Sequence, residues 1–193
     1  MNRATKSLAL LIMTLLPVMG LQAAIDTDFS PRPNERWLLI DDQSATLTVY
    51  EGNQEIEHFE PISLGRGGAA PLRVRGDRKT PTGEFRINRV NMQSRFHIFL
   101  GLNYPTPAHV RKSFNAGLID RDEYEAYHQY MRRYGEPPQD TPLGGDIGIH
   151  GLGESDEDIH GRFHWTQGCI AVTNEQIEWL NDNIDIGTRV VIR

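Results

Sequence analysis

The chain has 193 residues, enough for one domain with a hydrophobic core but short for two. Hydrophobic residues make up 38% and charged residues 24%, a composition that is typical of globular domains and excludes a largely disordered chain. The formal net charge is -6 and the basic residues are dispersed, so nucleic acid and anionic membrane surfaces are poor candidate partners.

The N-terminal segment differs from the rest of the chain. Basic residues precede an apolar run over residues 8–19, and small residues follow it up to Ala24. This order is typical of a secretory signal, whereas a membrane-spanning helix needs about 20 apolar residues and Pro17 would interrupt one here. The sequence predicts a signal peptide over residues 1–24, cleaved near Ala23 or Ala24, and a periplasmic protein without stable membrane insertion. The alternative is an uncleaved N-terminal anchor.

Beyond this segment, short stretches rich in apolar and β-branched residues predict strands. They cover residues 36–41, 45–50, 55–64, 84–90, 97–102, 146–150 and 188–192. Short turns separate the first three stretches. This spacing predicts a meander, which is the usual start of an antiparallel sheet.

Two regions carry helical patterns instead. Between residues 106 and 134, Tyr124, Tyr127 and Met131 recur at helical spacing, and we expect them on the buried face of a helix. Residues 173–176 have the pattern of a capping box, which opens a second helix before the last predicted strand.

Strands outnumber helices, and no repeat or low-complexity tract is present. The fold class predicted is mainly β, an antiparallel β-sandwich or barrel with a helical insertion and a C-terminal helix, in one domain over residues 36–193. No cofactor motif appears, so we expect no cofactor, and we expect the domain to be a monomer.

Cys169 is the only cysteine of the chain. Exported proteins that use cysteines for stability carry them in bridged pairs, so a lone thiol in such a protein suggests a reactive role. The alternative is a small buried hydrophobic residue, and the count alone leaves both open. Gly168 precedes the cysteine in a turn-like segment ahead of a capped helix, where backbone amides can converge and a substrate can approach closely.

A nucleophilic cysteine needs a base, and His150 is the candidate. It ends a predicted strand and is followed by Gly151, which predicts a tight turn at this point. His150 and Cys169 are far apart along the chain and can meet only through the fold. The alternative for His150 is a hydrogen-bonded structural histidine.

Three linked motifs resemble the L,D-transpeptidase (YkuD) family. The first is His150-Gly151-Leu152 followed by Thr166-Gln167-Gly168-Cys169-Ile170, which matches the family's His and Ser/Thr-x-Gly-Cys pattern in order and spacing. The second is residues 76–85, similar to the family's Gly-Asp-x-x-Thr-Pro-x-Gly segment, and the third is residues 146–151, similar to its strand into the histidine. The resemblance covers residues 37–193. Two positions differ: many relatives have His in place of Gln167 and Arg in place of Ala171.

The resemblance implies the family's mostly-β catalytic domain and its chemistry on the tetrapeptide stems of peptidoglycan. Cys169 would attack the bond between a diamino acid and the following D-alanine, form a thioester, and transfer the acyl group to an amine. His150 would be the base, oriented by the carbonyl of Gly151, and amides around Gly168 and Cys169 would bind the oxyanion. The alternative within this chemistry is hydrolysis, by a carboxypeptidase or by an amidase that releases a wall-linked lipoprotein.

The segment before the cysteine supplies the candidate substrate contacts, namely His164, Trp165, Thr166 and Gln167. Further candidates for contacts with substrate carboxylates are the basic residues Arg78, Arg95 and His97, for which surface charge is an equal alternative.

Two hypotheses from other classes stay open. One is a zinc peptidase that uses His150, His160 and His164, although no His-Glu-x-x-His pattern is present. The other is a wall-binding module without catalytic activity.

Overall fold

The computed structural model describes residues 30–155 and 157–193. Residues 31–193 form one compact unit. The predicted signal peptide lies outside the described residues. Within the described part of the chain, no helix is both long enough and apolar enough to cross a membrane.

Strands dominate the described residues, so the predicted mainly-β class is confirmed. In chain order the elements are β1 (Arg36–Asp41), β2 (Thr46–Glu51), β3 (Gln54–Phe59), β4 (Ala69–Ala70), β5 (Thr80–Pro81), β6 (Gly83–Ser94), β7 (His97–Leu102), α1 (Pro107–Asn115), α2 (Arg121–Tyr134), β8 (Gly148–His150), β9 (Ile170–Ala171), α3 (Asn174–Asn183) and β10 (Arg189–Ile192).

One large sheet carries most of the strands, in the order β3-β2-β1-β10-β6-β7-β8-β9. Strand β6 joins its two halves because its first residues pair with β10 and the rest pair with β7. The predicted N-terminal meander is present as β1, β2 and β3. The third strand ends at Phe59, earlier than predicted, since Pro61 follows closely and has no N–H to donate to a neighbouring strand.

The sheet is mixed rather than purely antiparallel, which corrects that part of the predicted architecture. Strand β10 runs parallel to β1, and β9 runs parallel to β8. Parallel neighbours need a long connection between them, and residues 151–169 provide one between β8 and β9. Local sequence patterns do not specify such distant partners.

The predicted helical insertion consists of two helices, α1 and α2. Gly117 (φ +70) follows α1 and breaks the helical backbone, and Asp120 then caps α2 in a capping box with Glu123. On α2, Tyr127 is buried, and Tyr124 and Met131 pack against the core as predicted. The capping box predicted at residues 173–176 is confirmed and opens α3.

The register of the short pair β8–β9 determines which of its side chains lie on the face opposite to the core residues Ile149 and Ile170. Ile149 and Ile170 are partners and both are fully buried. Side chains alternate along a strand, so the neighbours of these residues face the opposite side. One position earlier, Cys169 is level with Gly148, and His150 lies two residues beyond Gly148 on the same face. The fold therefore places the two candidate catalytic residues at one edge of the sheet.

Candidate active site

A groove of about 1080 Å³ opens over the ends of β8 and β9. Cys169 and His150 both line it, so the structure brings together the two residues that the sequence singled out. Phe96, Asp146 and Trp165 contribute to its walls.

His150 is held as a neutral base. Its side chain is only 2% exposed, and its Nδ1 lies 2.6 Å from the carbonyl oxygen of Gly151. A carbonyl can only accept, so Nδ1 carries the proton and Nε2 keeps a free lone pair. The ring of Phe96 stacks on the imidazole at 4.3 Å with an interplanar angle of 22°. Burial lowers the pKa of His150 to about 4, so the imidazole is uncharged at neutral pH.

Cys169 is a protonated thiol in this structure. The residue is half-buried, and its Sγ donates to the carbonyl oxygen of Asp146 at 3.3 Å. Burial raises the pKa of Cys169 to about 11, while a hydrogen bond with the backbone of Gly148 and the charge of Arg73 act in the opposite direction. The pair therefore rests as neutral thiol and neutral imidazole, so the thiol proton has to move when a substrate is attacked.

Asp146 belongs to the site, although its residue type and position predicted no role of its own. Its backbone adopts φ +50, in the left-handed region. Two groups hold this conformation: the carboxylate lies 3.0 Å from the guanidinium of Arg89, and the N–H donates to Oε1 of Gln139 at 2.7 Å. The result is a carbonyl oxygen fixed against the sulfur of Cys169.

Thr166 builds the turn that carries Cys169. Its hydroxyl donates to the carbonyl of Cys169 at 2.7 Å and accepts the N–H of Gly168 at 3.0 Å. The residue is 3% exposed, so both hydrogen bonds lie inside the loop. The amide of Gly168, predicted as an oxyanion donor, is therefore already paired with Thr166 in this structure.

Position 168 requires a glycine for two reasons: the backbone has a positive φ, and there is no room for a side chain. It has φ +129, and a Cβ here would stand 2.6 Å from the carbonyl oxygen of Lys79 and would collide with the guanidinium of Arg73. Any side chain at this position would displace the turn and with it Cys169.

The other predicted substrate contacts divide into two groups. Trp165 and Gln167 line the groove, and the Trp165 ring meets that of His150 edge-on at 5.9 Å. His164 has a different place: its Nδ1 accepts the N–H of Leu64 at 3.1 Å, and its Nε2 lies 3.7 Å from the carboxylate of Asp42. His164 thus braces a neighbouring segment of the chain.

The geometry gives no support to a zinc site. His160 bonds through Nδ1 to the hydroxyl of Ser63 at 3.2 Å, while His150 and His164 are engaged with Gly151 and Leu64. Across residues 30–155 and 157–193, no group of three or more His, Cys, Asp or Glu side chains is placed to hold a metal ion.

The basic residues that line the groove are not the same set as those predicted from the sequence. Arg95 lines it and lies over the ring of Phe96 at 4.6 Å. Arg78 does not line it, and neither does His97, whose Nε2 lies 2.6 Å from Glu178. Arg73, which was not predicted, lines the groove at 6% exposure. The only local signal was its place just before the Gly-Asp-x-x-Thr-Pro-x-Gly segment.

Comparison with known protein families matches residues 35–192 to YkuD, the L,D-transpeptidase catalytic domain. The chain belongs to this family. The match confirms the resemblance inferred from the motifs around His150 and Cys169. It covers the whole sheet, from the residue before β1 to the end of β10.

Solved structures share this fold at low sequence identity. Bd1075 of Bdellovibrio bacteriovorus has a TM-score of 0.53 and 22% identity over 83% of this chain and 48% of its own. The helical cell shape determining protein Pgp2 of Campylobacter jejuni has a TM-score of 0.56 and 21% identity over 82% of this chain and 47% of its own. The chain thus spans about half the length of these structures. No curated protein matches the chain.

Proposed function

We propose that the protein is a cysteine acyltransferase of the L,D-transpeptidase type that acts on peptidoglycan stem peptides in the periplasm. The observation that carries this proposal is the pairing, in one groove, of the half-buried thiol of Cys169 with an imidazole whose free Nε2 is fixed by the Gly151 carbonyl. Family membership supplies the substrate class. The similar fold of Pgp2, a helical cell shape determining protein, supports a role in cell-wall organisation.

The first half-reaction that we propose forms a thioester. The sulfur of Cys169 attacks the carbonyl carbon between the diamino acid and D-alanine, and Nε2 of His150 takes the thiol proton. The carbon–nitrogen bond then breaks, His150 returns this proton to the leaving amine, and D-alanine departs. The neutral resting pair supports this order, since the imidazole is unprotonated when the substrate arrives.

The developing oxyanion needs amide donors near the cysteine. Because the N–H of Gly168 is paired with Thr166, we assign this role to the N–H of Cys169. The turn that Thr166 and Gly168 hold would keep that amide in place.

The second half-reaction transfers the acyl group to an amine. The acceptor nitrogen attacks the thioester carbon, His150 takes a proton from it, and the sulfur of Cys169 leaves and recovers that proton. An amine of a neighbouring stem gives a cross-link. Water in the same position hydrolyses the thioester. Where the donor carries a wall-linked lipoprotein in place of D-alanine, the lipoprotein amine would be the leaving group of the first half-reaction.

The experiment is mass spectrometry of the purified protein incubated with disaccharide-tetrapeptide. We expect muropeptide dimers from the wild type, and neither dimers nor an acyl-enzyme from Cys169→Ala. Tripeptide without dimers would replace transfer by hydrolysis, and lipoprotein-linked muropeptide would then be the next donor. A Cys169→Ala variant with full activity would overturn the proposed mechanism.

A further inference from the structure

Arg73 is a buried cation for which the protein provides few hydrogen-bond acceptors. It is 6% exposed, and its Nε and Nη1 are fully buried without a hydrogen-bond partner. Buried polar groups are almost always hydrogen-bonded, and a buried charge without partners is costly. Arg73 nevertheless lines the groove that contains Cys169.

Asp77 forms an ion pair with Arg73 but accepts no hydrogen bond from it. Its Oδ1 lies 3.8 Å from Nε of Arg73, which is beyond hydrogen-bonding distance. Both oxygens of Asp77 already accept backbone amides, from Val74 and Lys79, each at 3.0 Å. On another side the guanidinium packs on the ring of Tyr104, with Cζ 5.7 Å from the centroid. None of these contacts gives the N–H groups an acceptor.

Two glycines flank the guanidinium. A Cβ on Gly168 would collide with it, and a Cβ on Gly144 would stand 3.2 Å from Nη2. Neither neighbour therefore covers the guanidinium with a side chain. Because Gly168 immediately precedes Cys169, the cation lies directly beside the turn that carries the nucleophile.

The other arginines of the groove do not share these features. Arg75 is exposed and forms an ion pair with Asp140 and hydrogen bonds to the carbonyl of Thr141. Arg95 is exposed and lies over the ring of Phe96. Of these three arginines, Arg73 alone is buried and lies against the turn of the nucleophile, so it is the cation whose position is fixed before a ligand arrives.

We propose that Arg73 forms a buried carboxylate subsite beside Cys169, which binds a carboxylate of the acyl donor next to the attacked carbonyl. The fork of the guanidinium matches a carboxylate, and a charge-assisted hydrogen bond from its groove-facing part would add a partner to this buried cation. The identity of the donor rests on the proposed function; the subsite itself does not. Two carboxylates of a stem peptide fit: that of the leaving D-alanine, and a side-chain carboxylate where the diamino acid bears one.

The first test uses the single cysteine as the reporter. Iodoacetate and iodoacetamide alkylate the same sulfur but differ in charge, and intact mass spectrometry follows both. Removing the guanidinium changes the thiol pKa equally for both reagents, so the ratio of their rates isolates anion binding. We expect this ratio to fall about tenfold or more in Arg73→Gln. It should be partly kept in Arg73→Lys and unchanged in the control Arg78→Gln, which removes an exposed arginine that does not line the groove. Equal ratios in the wild type and a folded Arg73→Gln variant would overturn the proposal.

A second measurement uses only the wild type, in case Arg73→Gln does not fold. N-acetyl-D-alanine should slow the alkylation of Cys169 by iodoacetamide, and N-acetyl-D-alaninamide should not. Equal protection by the acid and the amide would contradict a carboxylate subsite.

Modified donors then identify the carboxylate. If turnover falls when the carboxylate of the terminal D-alanine is amidated, the subsite binds the leaving group. If turnover falls when the side-chain carboxylate of the diamino acid is amidated, the subsite binds that side chain. Full turnover of both amides would contradict the assignment to the donor. If no stem peptide reacts while the alkylation ratio still depends on Arg73, the subsite stands and the proposed substrate fails.

Discussion

Replacing Thr166 by valine keeps the shape of the side chain and removes the hydroxyl that holds the cysteine turn. Two hydrogen bonds are lost, to the carbonyl of Cys169 and from the N–H of Gly168. Each such bond contributes about 1 kcal/mol to stability, and a buried N–H left without a partner costs about 1–3 kcal/mol more. We therefore expect Thr166→Val to lower the free energy of unfolding by about 2–4 kcal/mol.

The measurement is urea denaturation of the wild type, Thr166→Val and Thr166→Ser. Serine keeps the hydroxyl and loses one methyl group, so it should cost only about 1 kcal/mol. The acylation rate of Cys169 should follow the same order, because the turn sets the position of the sulfur. If the valine variant loses less than about 1 kcal/mol, or if serine costs as much as valine, the hydroxyl does not hold the turn.

Two further predictions concern Gly168 and His150. Gly168→Ala should cost several-fold more stability than the control Gly187→Ala, since both have positive φ but a Cβ on Gly187 meets nothing within 4 Å; similar losses in denaturation would contradict the crowding at Gly168. The folded pKa of His150 is about 4, below the ordinary 6.5, so the unfolded chain binds the extra proton between these values. Wild-type stability should therefore fall by about 2–3 kcal/mol more than that of His150→Gln between pH 7 and pH 4.5, and parallel pH profiles of the two proteins would refute this.

Local sequence signals predicted the elements that depend on neighbouring residues. Strands β1 and β7 have the predicted boundaries, and the capping box that opens α3 is where its residue types placed it. The motifs also identified His150 and Cys169 as residues of one groove. These features rest on alternation, capping and a short motif, all of which are visible in a few consecutive residues.

Features set by distant contacts were not predictable in this way. The parallel pairing of β10 with β1 depends on the route of the whole chain. Arg73 is a groove residue because the fold brings it against Gly168, about a hundred positions away. The hydrogen bonds of the Thr166 hydroxyl within the turn depend on the backbone conformation of the turn, which residue types alone do not specify.

The pairing of β1 with β10 also bears on how the chain reaches its native state. Strand β1 can pair with β10 only when residues 189–192 have been synthesised. The first residues of β6 need the same strand as their partner. Contacts between such distant segments are expensive in loop-closure entropy and form slowly. Until then the facing edges of β1 and β6 are unpaired, and open edges are templates for aggregation. A chain without residues 189–192 would therefore have a sheet that is divided through its middle rather than shortened at one side.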